Sequence, residues 1–285
     1  MPDFAIVDSH VHFYDVERFR YPWLDNVPKL KRSSLPVDLD HERGPVEIDK
    51  IVFVEVDIDQ GLNLREAEFV QALSDRDPRI CAMVAHAPLE KGKAVEPDLV
   101  ALKAHRITRG VRRLIEKERD PSMCLEPAFL EGVNLLARHG LSFDICVKHW
   151  GLVYAIELVR RCPEVSFILD HIGKPDIRNG LGEPWRSAIR ALATLPNVVC
   201  KISGVITEAD HANWTKTDVE PFIAEVILAF GFDRVMFGSD WTVSRLTHAY
   251  PTFVEILDGL LAGASETERR KFYRDNAIRA YRLEE

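Results

Sequence analysis

Short runs of apolar and β-branched residues recur along the chain, at 4–10, 50–56, 80–87, 110–115, 141–147, 166–171, 198–203 and 235–240. Their near-continuous hydrophobicity predicts strands buried on both faces, as in a parallel sheet. Amphipathic stretches at 63–76, 127–139, 152–162, 183–195 and 219–230 lie between them. Each is long enough for a crossover helix. Eight strand-and-helix units are the number that closes a (β/α)8 barrel. An open, doubly wound sheet is the competitor, but no Gly-X-Gly-X-X-Gly follows the first run, which removes its usual dinucleotide argument. The apolar stripes of 62–73 and 252–261 are read as core-packing faces rather than partner-binding helices. The expectation is an α/β chain folded as a (β/α)8 TIM barrel, one domain over 1–285.

Composition narrows the setting. With 285 residues, 46% of them hydrophobic, and no Pro/Gly/Ser-rich linker, repeat or low-complexity segment, the chain has material for one large core. The net charge is -8 and the basic residues are scattered, which argues against nucleic acid as a partner. Met1-Pro2-Asp3 opens the chain without a basic and then apolar leader, and no long apolar run predicts a membrane span, so a cytoplasmic protein is expected. Five cysteines (Cys81, Cys124, Cys146, Cys162, Cys200) without Cys-X-X-Cys spacing read as reduced thiols. Homo-oligomer formation stays open.

The chemistry gathers at the strand ends. In a barrel of this kind the active site lies at the C-terminal ends of the strands. Strand 1 closes with His10-Val11-His12, a spacing that puts both imidazoles on one face about 7 Å apart at the backbone. Strand 2 offers Glu55 and Asp57, strand 3 His86, and strand 4 Arg112, Arg113 and Glu116. Lys148, His149 and Trp150 follow strand 5, Asp170-His171 closes strand 6, Lys201 and Ser203 lie on strand 7, and Asp240-Trp241 closes strand 8. Taken singly, Lys201 could pair with a buried carboxylate and Asp170 could cap a helix or support a neighbour. A purely structural barrel has no need of the whole set, because each buried unpaired charge costs several kcal/mol. His105 and His139 read as solvated, Trp185 and Trp214 as packing groups, and His211 as part of a lid.

These segments resemble the amidohydrolase superfamily, and within it the lactone-hydrolysing branch of L-fuconolactonase-like and L-rhamnonolactonase-like proteins. The matching stretches are Asp8-Ser9-His10-Val11-His12, Arg109-Gly110-Val111-Arg112-Arg113, Phe167-Ile168-Leu169-Asp170-His171-Ile172-Gly173-Lys174-Pro175, Cys200-Lys201-Ile202-Ser203-Gly204 and Met236-Phe237-Gly238-Ser239-Asp240-Trp241. The resemblance implies a hydrolase that opens a sugar-derived lactone to the free acid. Members with two metals carry a lysine or glutamate on strand 4 and a histidine on strand 5. Here Glu116 and Lys148-His149 stand near those places, so at most one divalent ion, zinc or similar, is expected on His10, His12 and Glu116, and some members dispense with it.

Asp240 is then the expected base for water, and His171 would orient that water or pass a proton to the leaving oxygen. Either a metal on His10 and His12 or the Arg112 guanidinium would polarise the carbonyl. Glu55, His86, Lys148, His149 and Trp241 are expected to bind the sugar hydroxyls. Two alternatives stand beside this: a metal-dependent decarboxylase or hydrolase of dicarboxylate or aromatic lactones, and a non-catalytic barrel that binds a sugar acid.

Overall fold

In the computed structural model, which describes residues 1–180 and 182–284, eight parallel strands follow one another in chain order around a barrel. They are β1 (Ile6–Val11), β2 (Ile48–Val54), β3 (Ile80–His86), β4 (Thr108–Arg112), β5 (Ser142–Ile145), β6 (Phe167–Leu169), β7 (Val198–Ile202) and β8 (Val235–Phe237). The barrel closes where β1 runs beside the residues that follow β8. His12 N donates to the Trp241 carbonyl at 2.7 Å, and Asp240 N donates to the His10 carbonyl at 3.0 Å.

Each strand is followed by a helix: α1 (Pro36–Glu42), α2 (Asn63–Ser74), α3 (Glu96–Lys103), α4 (Pro127–Arg138), α5 (Leu152–Arg161), α6 (Trp185–Ala193), α7 (Lys216–Phe230) and α8 (Tyr250–Leu260). Two more, α9 (Glu266–Arg270) and α10 (Asn276–Tyr281), come after the eighth unit. Helix α5 illustrates why these segments fold as they do. Leu152, Ala155, Ile156 and Val159 recur at helical spacing and are all buried against the barrel wall. Burying each of the larger side chains contributes about 1.5–3 kcal/mol. Helix α7 starts three residues before the expected 219 because Thr215 and Asp218 form a capping box ahead of it. No described helix is long and apolar enough to cross a membrane.

Inside the barrel a lower layer of small apolar side chains, among them Val7, Val52, Ala82, Ile168 and Met236, packs against Ala277, Tyr281 and Leu283 from α10 and the residues after it. Above that layer the same inward parity turns polar, with Arg112, Asp144, Asp170 and Lys201 buried inside. Strands β6 and β8 end earlier than their apolar runs suggest. The next residues leave the extended region: His171, Ile172 and Lys174 after β6, and Asp240 after β8, all have positive φ.

Candidate active site

A bulge in β1 aims the histidine pair. Asp8 pairs with Ile51 and Val11 with Phe53, so β1 carries one residue more than β2 between those points. Val7 faces the barrel interior, and the extra residue brings His10 and His12 to that same interior. Their ring centroids are 4.9 Å apart, and His171 comes within 4.5 Å of His10. Val54 fixes His12: its carbonyl accepts from Nδ1 at 2.8 Å, which leaves a lone pair on Nε2. That Nε2 faces Asp240 Oδ1 at 3.3 Å, and His10 Nε2 faces the same oxygen at 3.7 Å. Asp240 Oδ1 is buried without a hydrogen-bond partner.

Beneath these groups lies a network of buried charge. Arg112 Nε donates to Glu55 Oε1 at 2.6 Å, Nη2 donates to the Glu55 carbonyl at 2.6 Å, and Nη1 donates to Asp170 Oδ2 at 3.2 Å. Lys201 Nζ lies 2.7 Å from Asp144 Oδ2, 3.1 Å from Asp170 Oδ1 and 3.2 Å from His10 Nδ1. Burial would raise the Asp170 carboxyl, but Lys201 and His10 hold it well below its ordinary value. Asp240 is similar: burial pushes it up, and His171, His12 and His10 overcome that push, keeping it ionised. Burial lowers His171 to about 4 despite the pull of Asp240, so its imidazole is neutral near pH 7. His171 Nδ1 sits 3.0 Å from Ser203 Oγ.

Gly204 makes room for this contact. A Cβ there would lie 2.6 Å from His171 Nδ1 and 2.9 Å from Asp240 Oδ2, and its φ of +57° favours glycine.

The site opens into a cavity of about 670 Å³. Asp240, His171, Arg112, His12 and Glu116 line it, and His10 lies fully buried beside His12 and His171. Glu116 does not join the histidines. β4 has ended at Arg112, and the Glu116 carboxylate bonds Lys174 Nζ at 2.6 Å, which outweighs the effect of burial and lowers its pKa to about 2. None of the five residues expected to bind substrate lines the cavity among the described residues. Glu55 is taken up by Arg112, Lys148 by Glu208 at 2.9 Å, and the Trp241 indole donates to Glu42 Oε2 at 2.9 Å with Arg245 over its ring. His149 packs its ring edge-on to Trp150, and His86 ends β3 outside the lining. His211 does reach the cavity, joined by Trp23, Lys117, Lys174 and Thr207, which the hydrophobic pattern gave no reason to select. Asp144 was legible in principle, since an acid in the middle of Ser142-Phe143-Asp144-Ile145 must face a partner.

The donor set fits one small divalent cation. His12 Nε2 carries a lone pair, Asp240 Oδ1 lacks a donor, and the ligand atoms of His10, His12 and Asp240 all lie within 4.8 Å of one another. The 3.3 Å between His12 Nε2 and Asp240 Oδ1 matches the edge of a tetrahedron with metal–ligand bonds of about 2.0–2.1 Å. Charge points the same way: the ionised Asp240 carboxylate faces both histidines from the cavity wall.

Comparison with known proteins places the chain and its fold in a wider group. A sequence model described as Amidohydrolase matches residues 7–283. An L-fucono-1,5-lactonase of Burkholderia multivorans is 30% identical over 291 residues, covering 98% of this chain and 96% of its own. One of Burkholderia ambifaria is 30% identical over 243 residues, covering 84% and 81%. The crystal structure of a Burkholderia multivorans amidohydrolase with bound zinc superposes with a TM-score of 0.88 at 29% identity, covering 99% of this chain and 100% of that one.

Proposed function

The chain belongs to the amidohydrolase family, and from that premise we propose that it is a hydrolase that opens a sugar-derived lactone, an aldonolactone, to the free sugar acid, with Asp240 activating the water. The observation that carries this reading is the unpartnered Oδ1 of an ionised Asp240, held between His12 and His171 at the wall of the cavity. The relatives named L-fucono-1,5-lactonase support the substrate class.

Hydrolysis needs a base for water, an electrophile for the carbonyl oxygen and a proton for the departing ring oxygen. Asp240 accepts a proton from the attacking water as the new C–O bond forms. When the ring C–O bond breaks, that proton passes to the alkoxide, directly or through the neutral His171. His10, His12 and Asp240 would hold one divalent ion, as suits the zinc-bound neighbour; such an ion polarises a carbonyl and acidifies water. Arg112 serves this site differently from the expectation of a carbonyl electrophile. Its guanidinium is committed to Glu55 and Asp170 and holds the floor beneath His10.

The cavity favours a neutral substrate. Each described lysine or arginine lining it is already paired: Arg112 with Glu55, Lys117 with Asp57 and Lys174 with Glu116. A decarboxylase or a hydrolase of dicarboxylates would need a cation free for the substrate carboxylate. The five cysteines, all free, suit the reducing cytoplasm as the setting.

A panel of aldonolactones followed with a pH indicator tests the proposal. Acid release is expected from wild type, with Asp240→Asn lowering kcat by about 10²–10⁴-fold. Absence of acid release across the panel would refute the lactonase reading.

A further inference from the structure

Four consecutive strand ends each contribute one charged side chain: Glu116 after β4, Lys148 after β5, Lys174 after β6 and Glu208 after β7. They form two pairs. Lys174 Nζ donates to Glu116 Oε2 at 2.6 Å, and Lys148 Nζ donates to the two Glu208 oxygens at 3.0 and 2.9 Å. Glu116, Lys174 and Glu208 line the cavity, whereas Lys148 stays out of the lining.

The pairs differ in what they have left to offer. Both Glu208 oxygens are taken up by one ammonium. Lys174 spends one of its three N–H donors on Glu116, and Glu116 Oε1 takes no hydrogen bond among the described residues. Two spare donors beside a carboxylate oxygen with room to accept make a matched set for two neighbouring hydroxyl groups, one giving its proton to Oε1 and the other accepting from Nζ. An ionic group suits the pair less, because an anion would meet Glu116 and a cation would meet Lys174.

The pair is also held in place and sheltered. Glu116 N donates to the Cys146 carbonyl at 3.1 Å and Lys174 N to the His171 carbonyl at 2.9 Å, while the Lys174 carbonyl accepts from His149 N at 3.3 Å. Lys174 keeps a φ of +44°, a conformation that a lysine rarely adopts. The two side chains are 15% and 16% exposed. The Lys117–Asp57 pair also lines the cavity, but its members are 43% and 38% exposed, so water competes for their hydrogen bonds. Much of the remaining lining is apolar. Trp23 gives its indole N–H to the Val56 carbonyl at 2.8 Å and stands in the lining with Val27, Leu114, Val243 and Leu246.

We propose that Glu116 and Lys174 form the hydroxyl-recognition subsite of the cavity, binding two neighbouring hydroxyls of the substrate ring as one donor–acceptor unit and so selecting a polyhydroxy ring. That the ring is a lactone rests on the function proposed above; the binding of hydroxyls by this pair is tested without it.

The test uses the full-length protein and ligands that carry the hydroxyls but no carbonyl. Calorimetry follows binding of 1,5-anhydrohexitols of differing hydroxyl configuration, beside tetrahydropyran, the same ring without hydroxyls. Wild type is expected to bind at least one anhydrohexitol and to bind it more tightly than tetrahydropyran. Glu116→Gln should weaken that binding about 10-fold, and Glu116→Gln/Lys174→Met, which removes both charges and leaves neither buried alone, about 100-fold. In turnover the same variants should lower kcat/KM for an aldonolactone by these factors and leave δ-valerolactone, which has no hydroxyls, within about twofold of wild type. A purely structural role for the pair would lower both lactones together. Equal losses on the two lactones, unchanged anhydrohexitol binding in the variants, or wild-type binding no tighter than that of tetrahydropyran would each overturn the proposal. Anhydrohexitol binding that falls as predicted in a protein that hydrolyses no lactone would uphold the subsite and remove the lactonase reading.

Discussion

Replacing Lys201 with methionine isolates the energetic logic of the barrel interior. The methionine keeps much of the side-chain volume but removes the ammonium that lies 2.7 Å from Asp144 and 3.1 Å from Asp170, in a place where all three side chains are inaccessible to solvent. Two carboxylates then face each other across a dry interior with only Arg112 left to balance Asp170. Breaking a buried pair by removing one partner costs about 3–5 kcal/mol. For a chain of 285 residues the entropy of unfolding is about 0.6 kcal/mol per degree, so a loss of about 4 kcal/mol lowers Tm by about 7 °C. Urea unfolding at pH 7 followed by circular dichroism gives the free energy, and a thermal scan gives the shift. Adding Asp144→Asn to the methionine variant removes one of the stranded charges and should recover about 1–3 kcal/mol, measured as the coupling in a double-mutant cycle. A Lys201→Met protein within about 1 kcal/mol of wild type would refute the claim that this lysine carries the charge balance of the interior.

Two other predictions concern residues whose surroundings the structure defines. Glu116 has its pKa lowered from 4.5 to about 2 chiefly by Lys174 working against burial. A depressed carboxylate contributes stability above its unfolded pKa, so this contribution, at most about 3 kcal/mol, should be complete above pH 4.5 and fade as pH falls toward 2. Acid titrations of stability for wild type and Glu116→Gln should therefore diverge in that window, and parallel curves would contradict the pairing. Trp241→Phe should leave KM for a lactone within about twofold, because the indole points to Glu42 and Arg245 rather than into the cavity. It should cost about 1–2 kcal/mol through the lost charge-assisted hydrogen bond, and a tenfold rise in KM would place the indole in substrate binding after all.

The barrel was legible because its strands are buried on both faces, and eight apolar runs stand out against polar helix faces. The strand-end rule then selected Asp240, His171, Arg112 and His12, which line one cavity, and His10, which is buried beside His12 and His171. What stayed hidden was the direction of side chains after the strands end. The bulge in β1 is invisible in the alternation of Ile6 to Val11, and nothing in the apolar run 166–171 warns that His171 at its end, and Ile172 and Lys174 after it, are left-handed. Trp241 was misplaced for this reason: Asp240 also takes positive φ, and the next side chain turns outward to Glu42. Glu116 shares the inward parity of Arg112 and Leu114 and does reach the cavity, but pairing with Lys174 is a contact across 58 residues that no local pattern encodes.

The most direct measurement is the rate of aldonolactone hydrolysis, with a lactone that the panel shows to be turned over, by protein stripped with a chelator, assayed as zinc is added back and total metal is determined on the same samples. The account predicts that activity is lost on stripping and returns in step with one equivalent of zinc, and that His12→Ala neither binds this equivalent nor recovers. Stripped protein, free of metal by elemental analysis, that turns over the lactone at the full rate would contradict the proposal that an ion held by His10, His12 and Asp240 serves the reaction.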